Sequence, residues 1–248
     1  MSMNLRQRAK LAISPLGNLI PVSRYLNRPL RSWPGVTALL YDIKVPQSVR
    51  AKTSGANINI LLELLDKTEA LPGEVAECGV FRGRTLVPMA LYLAQRASAK
   101  RVFGFDSFEG FDDAVEVDIG LGGTRSKDKH IGAFNETSLR LVESKLRRFG
   151  LGNATLVKGY FRETLQRYSQ CQFSFVHLDC DIFESYKECL EFFYPRMNQG
   201  GIILFDEYRT RRWPGCTKAV DEYLDDKPEK PVLIERDRQE KFYVRKVA

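Results

Sequence analysis

Phe175-Val-His177-Leu-Asp179-Cys-Asp181 and Gly200-Gly-Ile-Ile-Leu-Phe-Asp206-Glu207-Tyr208 are two short apolar runs, each ending abruptly in carboxylates. A buried parallel strand that delivers acids to the carboxyl edge of its sheet has this form. If the two strands are neighbours, Asp179, Asp206 and Glu207 converge, and ligands of open α/β sheets bind at that edge. Carboxylates held close together repel unless a cation or a proton intervenes. The runs therefore predict a site for a hard cation with oxygen ligands, magnesium first. Either run alone reads first as a helix cap, because Asp is a good N-cap; the two together favour the metal.

Working outward, Glu74-Val-Ala-Glu77-Cys78 is a strand, Gly79-Val80-Phe81-Arg-Gly83-Arg-Thr85 a glycine-bearing turn, and 85–95 a helix. Arg101-Val-Phe-Gly-Phe-Asp106 is a second strand ending in an acid. Strand, glycine turn, helix, strand and acid make up the mononucleotide-binding half of a doubly wound fold. A helix at 137–149, a strand at 154–157, the turn Lys158-Gly159-Tyr160-Phe161, and helices at 183–196 and 216–224 continue the alternation. The short runs 231–235 and 241–245 lie so close together that they form an antiparallel hairpin. A parallel sheet closed in this way suggests a methyltransferase-type fold more than a dinucleotide dehydrogenase. Between Ser107 and Ala133 lies a long connection rich in Gly and charge, expected to be a lid or binding loop.

The 248 residues suffice for one domain with a small appendage. The net charge of +7 suggests nucleic acid until it is located: residues 1–41 hold Arg6, Arg8, Lys10, Arg24, Arg28 and Arg31 with no acid, and the rest nearly balances. A basic arm on a neutral body argues against a nucleic-acid-tracking surface, while leaving the arm free to touch an acidic membrane surface or a charged partner. Residues 1–70 are read as a basic accessory or lid segment. It carries a basic helix near 5–13, Trp33 and Tyr41 as packing anchors, and a helix at 56–65; residues 71–248 form the catalytic domain. Pro15, Pro21, Pro29 and Pro34 interrupt any long amphipathic helix in this leader, so it is not read as a cleaved transit peptide. The five scattered cysteines lack CxxC spacing and predict reduced thiols in a cytoplasmic protein. No apolar run approaches the ~20 residues of a membrane span.

A dinucleotide site wants G-x-G-x-x-G, whose second glycine admits a pyrophosphate. Here Phe81 stands where that glycine belongs. A cofactor without a pyrophosphate is unaffected, and S-adenosylmethionine is one. Glu77 is then the candidate for its ammonium, the amides from Gly79 to Arg84 for its backbone, and Asp106 for its ribose hydroxyls. Tyr160 and Phe161 are placed to flank its adenine. Tight turns, a cap at Asp106 and core aromatics are the plainer readings of the same residues.

These motifs, with Phe105-Asp106-Ser107-Phe-Glu-Gly110-Phe111, Lys158-Gly159-Tyr160-Phe161-Arg-Glu-Thr164-Leu165, His177-Leu-Asp179-Cys-Asp181-Ile-Phe-Glu-Ser185 and Pro214-Gly215-Cys-Thr-Lys218-Ala-Val-Asp221, resemble the macrocin O-methyltransferase family over about 71–224. Its members methylate sugar hydroxyls of glycosylated natural products. The resemblance implies a class I methyltransferase, Rossmann-like α/β fold with helices on both faces of the sheet. It also implies S-adenosylmethionine as donor, held by Glu77, Gly79, Val80, Phe81, Gly83, Thr85, Asp106, Ser107, Gly159, Tyr160, Phe161 and Asp179. Magnesium falls to Asp179, Asp206 and Glu207, a glycoside or glycan is the acceptor, and a homo-oligomer is hinted at. The family reads Asp-Asp-Tyr where this chain has Asp206-Glu207-Tyr208, which makes Glu207 the ligand most open to question.

Methyl transfer from a sulfonium is an in-line displacement that needs the acceptor oxygen aligned and its proton removed. Asp179 is the catalytic candidate, near both the cation and the departing proton. Asp181 reads first as the N-cap of the helix at Phe183 and second as a partner to Asp179. His177 reads as a hydrogen-bonded core residue and His130 as a solvated loop histidine, with a base as its sharper reading. Arg209, Arg211 and Arg212 either meet an anionic acceptor or face water. The rivals are a catechol-type phenol O-methyltransferase, a nicotinamide-dependent oxidoreductase, and a non-catalytic module that binds nucleotide or glycan.

Overall fold

The structure, a computed structural model, describes residues 55–112, 116–118, 133–236 and 239–247. The leader with Trp33 and Tyr41, the glycine run at 120–123 and His130 lie outside the described residues. The described chain runs α1 (Gly55–Asp66), β1 (Glu74–Cys78), α2 (Leu86–Gln95), β2 (Val102–Asp106), α3 (Leu139–Arg148), β3 (Ala154–Lys158), α4 (Phe161–Thr164), β4 (Phe173–Leu178), α5 (Phe183–Phe193), β5 (Met197–Phe205), α6 (Pro214–Leu224), β6 (Val232–Arg236) and β7 (Gln239–Arg245). The order in the sheet is β3-β2-β1-β4-β5-β7-β6. Strands β1 to β5 pair in parallel, and β7 joins β5 antiparallel with β6 outside it. The winding direction reverses between β1 and β4, the switch point at which open α/β sheets take their ligands.

Side chains alternate across a strand, so each strand supplies both layers of the core. Val75, Phe175, Ile202 and Leu204 face α1, α2 and α3, whose contributions include Leu61, Leu65, Met89 and Val142. Ala76, Cys78, Val176, Leu178, Ile203 and Phe205 face the other layer, against Tyr186, Leu190 and Phe193 of α5 and Cys216 and Val220 of α6. β4 is buried at every position, as its unbroken apolar run requires of a central parallel strand. Helix α1 falls within the stretch 1–70 that the sequence sets apart as accessory. Its Ile60, Leu64 and Leu65 are nevertheless fully buried in the same core as the sheet, and its Glu63 pairs with Arg236 of β6 at 2.8 Å.

The termini of the smaller elements follow local chemistry. Ser138 caps α3 by accepting from the Leu141 amide at 3.2 Å, so the helix opens two residues beyond the expected start. The helix expected at 183–196 ends at Phe193 and tightens into a 3₁₀ turn, Tyr194–Arg196, at Pro195.

The end of the chain is clasped by one buried acid. Glu229, 4% exposed, accepts from the Tyr194 hydroxyl, from Lys246 Nζ at 3.2 Å and from the Val247 amide at 2.9 Å. Burial pushes this carboxyl up, but the bonds from Tyr194, Val247 and Lys246 outweigh it and bring it from 4.5 down to about 2. A group depressed in the folded state contributes stability above its unfolded value and loses it as pH falls through the folded one. The Glu229 contribution should therefore be complete above pH 4.5 and fade toward pH 2. Glu229→Gln should cost about 1–3 kcal/mol at neutral pH, as loss of charged hydrogen bonds does. Urea melts from pH 7 to 2 should show the gap between variant and wild type closing only in that acid window.

Candidate active site

Parallel register sets Glu77 of β1 directly opposite His177 of β4, and His177 opposite Leu204 of β5. The same alternation carries Asp179 and Asp206 to this face, two residues farther along their strands. His177 Nδ1 donates to Glu77 Oε1 at 2.9 Å, and its Nε2 lies 3.7 Å from Asp206 Oδ1. Lys241, from the antiparallel β7, completes the row: its ammonium pairs with the Asp206 carboxylate and donates to the Asp206 carbonyl at 2.8 Å. His177, Asp179 and Asp206 each bring one ligand atom within 4.8 Å of the others. Beside them is a cavity of about 30 Å³, ion-sized and too small for a nucleoside. Asn57 and Leu61 of α1, Thr85, Leu204 and Lys241 line it together with His177, Asp179 and Asp206.

Carboxyl groups outnumber cations here. Burial would push the His177 imidazole down, but Asp206 and Glu77 hold its proton and lift it to about 10. Burial would likewise raise Asp206, yet Lys241 and His177 keep it well below the usual carboxylate range. With those cations committed, the remaining acids are pushed upward: Asp179 to about 7 by burial and the Asp206 charge, and Asp181 and Glu207 by burial and their acidic neighbours. A divalent ion is the ligand this imbalance suits, and the oxygen-rich donor set suits magnesium.

The donor side fits S-adenosylmethionine on its own geometry. Glu77 is 0% exposed, and its Oε2 is buried with no hydrogen-bond partner among the described residues, a state that an incoming ammonium would relieve. The glycine turn folds back on the edge so tightly that a Cβ on Gly79, at φ 89°, would stand 1.7 Å from the Asp179 carbonyl oxygen. Phe81 also takes a left-handed φ, 47°, and its amide is fixed by Asp106 Oδ2 at 2.7 Å. Asp106 Oδ1 accepts from Phe108 at 2.6 Å and the carboxylate also accepts from the Val80 amide, so Asp106 pins the turn and the loop after β2 instead of capping a helix, with one lone pair left over. Gly83, at φ 72°, lies against Val142 of α3.

The other candidate contacts surround this turn. The Val80 side chain belongs to the core, Phe161 packs against the opposite layer, and the Ser107 hydroxyl is used within its own loop by Gly110 and Glu109. Gly159 turns at φ 137° ahead of Tyr160, whose ring is covered by the Arg162 guanidinium at 4.8 Å. Thr85 lines the ion-sized cavity.

Asp181 does not cap α5 as expected. Asp118, from a 3₁₀ turn 65 residues earlier, accepts from the Phe183 amide at 2.8 Å, and Asp181 is held at φ 58° with its carboxyl among the acids. Glu207, the expected third ligand, stays beside Asp179, with which it shares a side-chain hydrogen bond, and its Oε2 also lies 2.6 Å from the Tyr186 hydroxyl. Lys241 was not singled out from the sequence. Its only signal is a lysine on the inward side of a strand, 8% exposed where hairpin lysines are ordinarily solvated.

The sequence profile of the macrocin O-methyltransferase (TylF) family matches residues 55–245. The chain is 27% identical over 196 residues, 78% of its length and 70% of the relative's, to 8-demethyl-8-(2,3-dimethoxy-alpha-L-rhamnosyl)-tetracenomycin-C 4'-O-methyltransferase of Streptomyces olivaceus. It is 27% identical over 185 residues, 71% of its length and 70% of the relative's, to mycinamicin III 3''-O-methyltransferase of Micromonospora griseorubida. The solved O-methyltransferase NovP superposes with a TM-score of 0.64 at 24% identity, over 77% of this chain and 79% of that one, a likeness of fold. The match across the whole sheet, from α1 to the closing hairpin, makes this chain a member of the macrocin O-methyltransferase (TylF) family, and an O-methyltransferase.

Proposed function

We propose that the protein transfers the methyl group of S-adenosylmethionine to a sugar hydroxyl of a glycosylated small molecule, with magnesium held at Asp179 and Asp206. The observation that carries the donor is the bare, buried Glu77 Oε2 beside the glycine turn. The acceptor class is supported by the relatives, whose names specify O-methylation of glycosylated compounds. The ion is supported by the excess of carboxyl groups over His177 and Lys241.

When bound, the donor supplies an electrophilic methyl group and the cation a positive charge that favours loss of a hydroxyl proton. The chain's own residues do the rest. Glu77 holds the ammonium of the donor, Asp106 its ribose, and the strained turn at Phe81 the alignment between them. Asp179 stands against that turn through Gly79 and would receive the acceptor's proton. His177 and Lys241 hold Asp206 in place, and Glu207 supports the edge from beneath through Tyr186.

Calorimetric titration of the stripped protein with S-adenosylmethionine and with NAD, each with and without magnesium, tests the donor and the ion together. Selective binding of S-adenosylmethionine is expected, with a separate magnesium heat; binding of NAD instead would overturn the reading. Glu77→Gln should weaken donor binding tenfold or more, the scale of a lost charged hydrogen bond. Asp106→Ala should also weaken it, and an unchanged dissociation constant would place the ribose elsewhere. Asp179→Asn should lower methyl transfer at least a hundredfold while sparing donor affinity, the range of one catalytic proton acceptor. Turnover of phenols in preference to sugars would move the assignment to the catechol type.

A further inference from the structure

Arg209, Arg211 and Arg212 play no part in the chemistry above. They lie between β5 and α6, directly after Asp206 and Glu207; all three are exposed, and none makes an ion pair within 4.0 Å among the described residues. Their loop is built. The Thr210 amide donates to the Glu207 carbonyl at 2.9 Å, and the Arg209 amide to Thr217 Oγ1 at 2.8 Å. Those bonds hold Arg209 at φ 64°, a left-handed backbone that an arginine rarely adopts.

Aromatic rings fix two of the guanidinium groups. Arg209 lies 5.5 Å from the centre of Tyr208 and 5.3 Å from that of Phe242, and Arg212 lies 5.4 Å from that of Trp213. Stacking restrains the plane of a guanidinium and leaves its N–H donors available, apart from the one that Arg209 gives to the Tyr208 hydroxyl. The buried Trp213 meets Phe134 at 6.2 Å, and Phe134 meets Phe81 of the glycine turn at 5.6 Å. The arginine loop is thus tied through three rings to the glycine turn at the edge that carries the carboxylates.

We infer that Arg209, Arg211 and Arg212 form a phosphate-binding subsite, and that the acceptor sugar is carried on a diphosphate; this rests on the methyl-transfer reading above. One guanidinium fork satisfies one carboxylate, whereas three positive charges within four residues match a group with several anionic oxygens. The subsite lies beyond an edge rich in carboxyl groups, which would repel a free phosphate. It therefore takes the charged carrier while the neutral sugar reaches Asp179. The carrier is a nucleoside diphosphate or a lipid diphosphate, and the two share this recognition.

The test is calorimetric titration of the protein, saturated with magnesium and S-adenosylhomocysteine, with inorganic pyrophosphate and with uridine and thymidine diphosphates. Binding is expected, weakening with added salt, and R209Q/R211Q/R212Q should lower affinity at least tenfold. R211Q alone, at an exposed side chain with no hydrogen bond, ion pair or ring contact among the described residues, should lower it several-fold, which guards against misfolding of the triple variant. A nucleoside diphosphate that binds more tightly than pyrophosphate marks a nucleotide carrier; equal affinities mark recognition of the diphosphate alone, as a lipid carrier requires. No binding of any probe, or equal binding by wild type and R211Q, would overturn the subsite. S-adenosylhomocysteine affinity measured in the same samples tells that failure apart from failure of the donor assignment.

Discussion

A buried row of alternating charge, Glu77, His177, Asp206 and Lys241, crosses four strands at the carboxyl edge of the sheet, and the site depends on it. Removing such groups from water is costly, and only close pairing repays the cost. Each member is supplied by a different strand, so the row forms only in the order β1-β4-β5-β7. Deleting one charge would strand its neighbour. The constraint ties Glu77, the candidate for the donor's ammonium, to the candidate cation ligand Asp206 through one imidazole, and it holds both edges of the switch-point crevice in register.

The row also accounts for the closing hairpin. A parallel strand beside β5 would bring its own carboxyl end to this edge, with another helix N-terminus following it. The antiparallel β7 instead enters the edge near its beginning, where Lys241 stands level with Asp206 and Phe242 pairs with Phe205. A cation is delivered to an edge otherwise dominated by acids. The cavity beside it keeps room for an ion, and α1 closes that cavity through Asn57 and Leu61.

Much of this was legible in the sequence, because parallel strands announce themselves as apolar runs and their ends as turns or acids. Glu77, Asp106, Asp179 and Asp206 each terminate or nearly terminate such a run, so their common edge follows from the fold class alone. What was illegible depends on distance along the chain. The Phe183 amide is capped by Asp118 and not by the adjacent Asp181, and nothing local to either residue distinguishes the two. Lys241 acquires its role only once the strand order is known. His177 looked like a core residue and is one, but its two ring nitrogens face carboxylates on both sides, which only the register reveals.

The Asp206-Glu207 pair shows how one methylene changes a site. Adjacent residues at a strand end point to opposite faces, so the second acid begins on the side away from His177 and Lys241. The longer Glu207 reaches the Tyr186 hydroxyl at 2.6 Å as well as Asp179, while Tyr186 gives its one proton to the Leu178 carbonyl at 2.8 Å, immediately before Asp179. Burial and the charges of Asp206 and Asp179 push the Glu207 carboxyl well above its ordinary value, so it can hold a proton for that hydroxyl contact. Glu207 thereby braces the strand end that carries Asp179 from below, while Asp206 is braced from above by His177 and Lys241. The longer side chain thus reaches Asp179 on one side and Tyr186 on the other, so the second acid stays at the edge with the first.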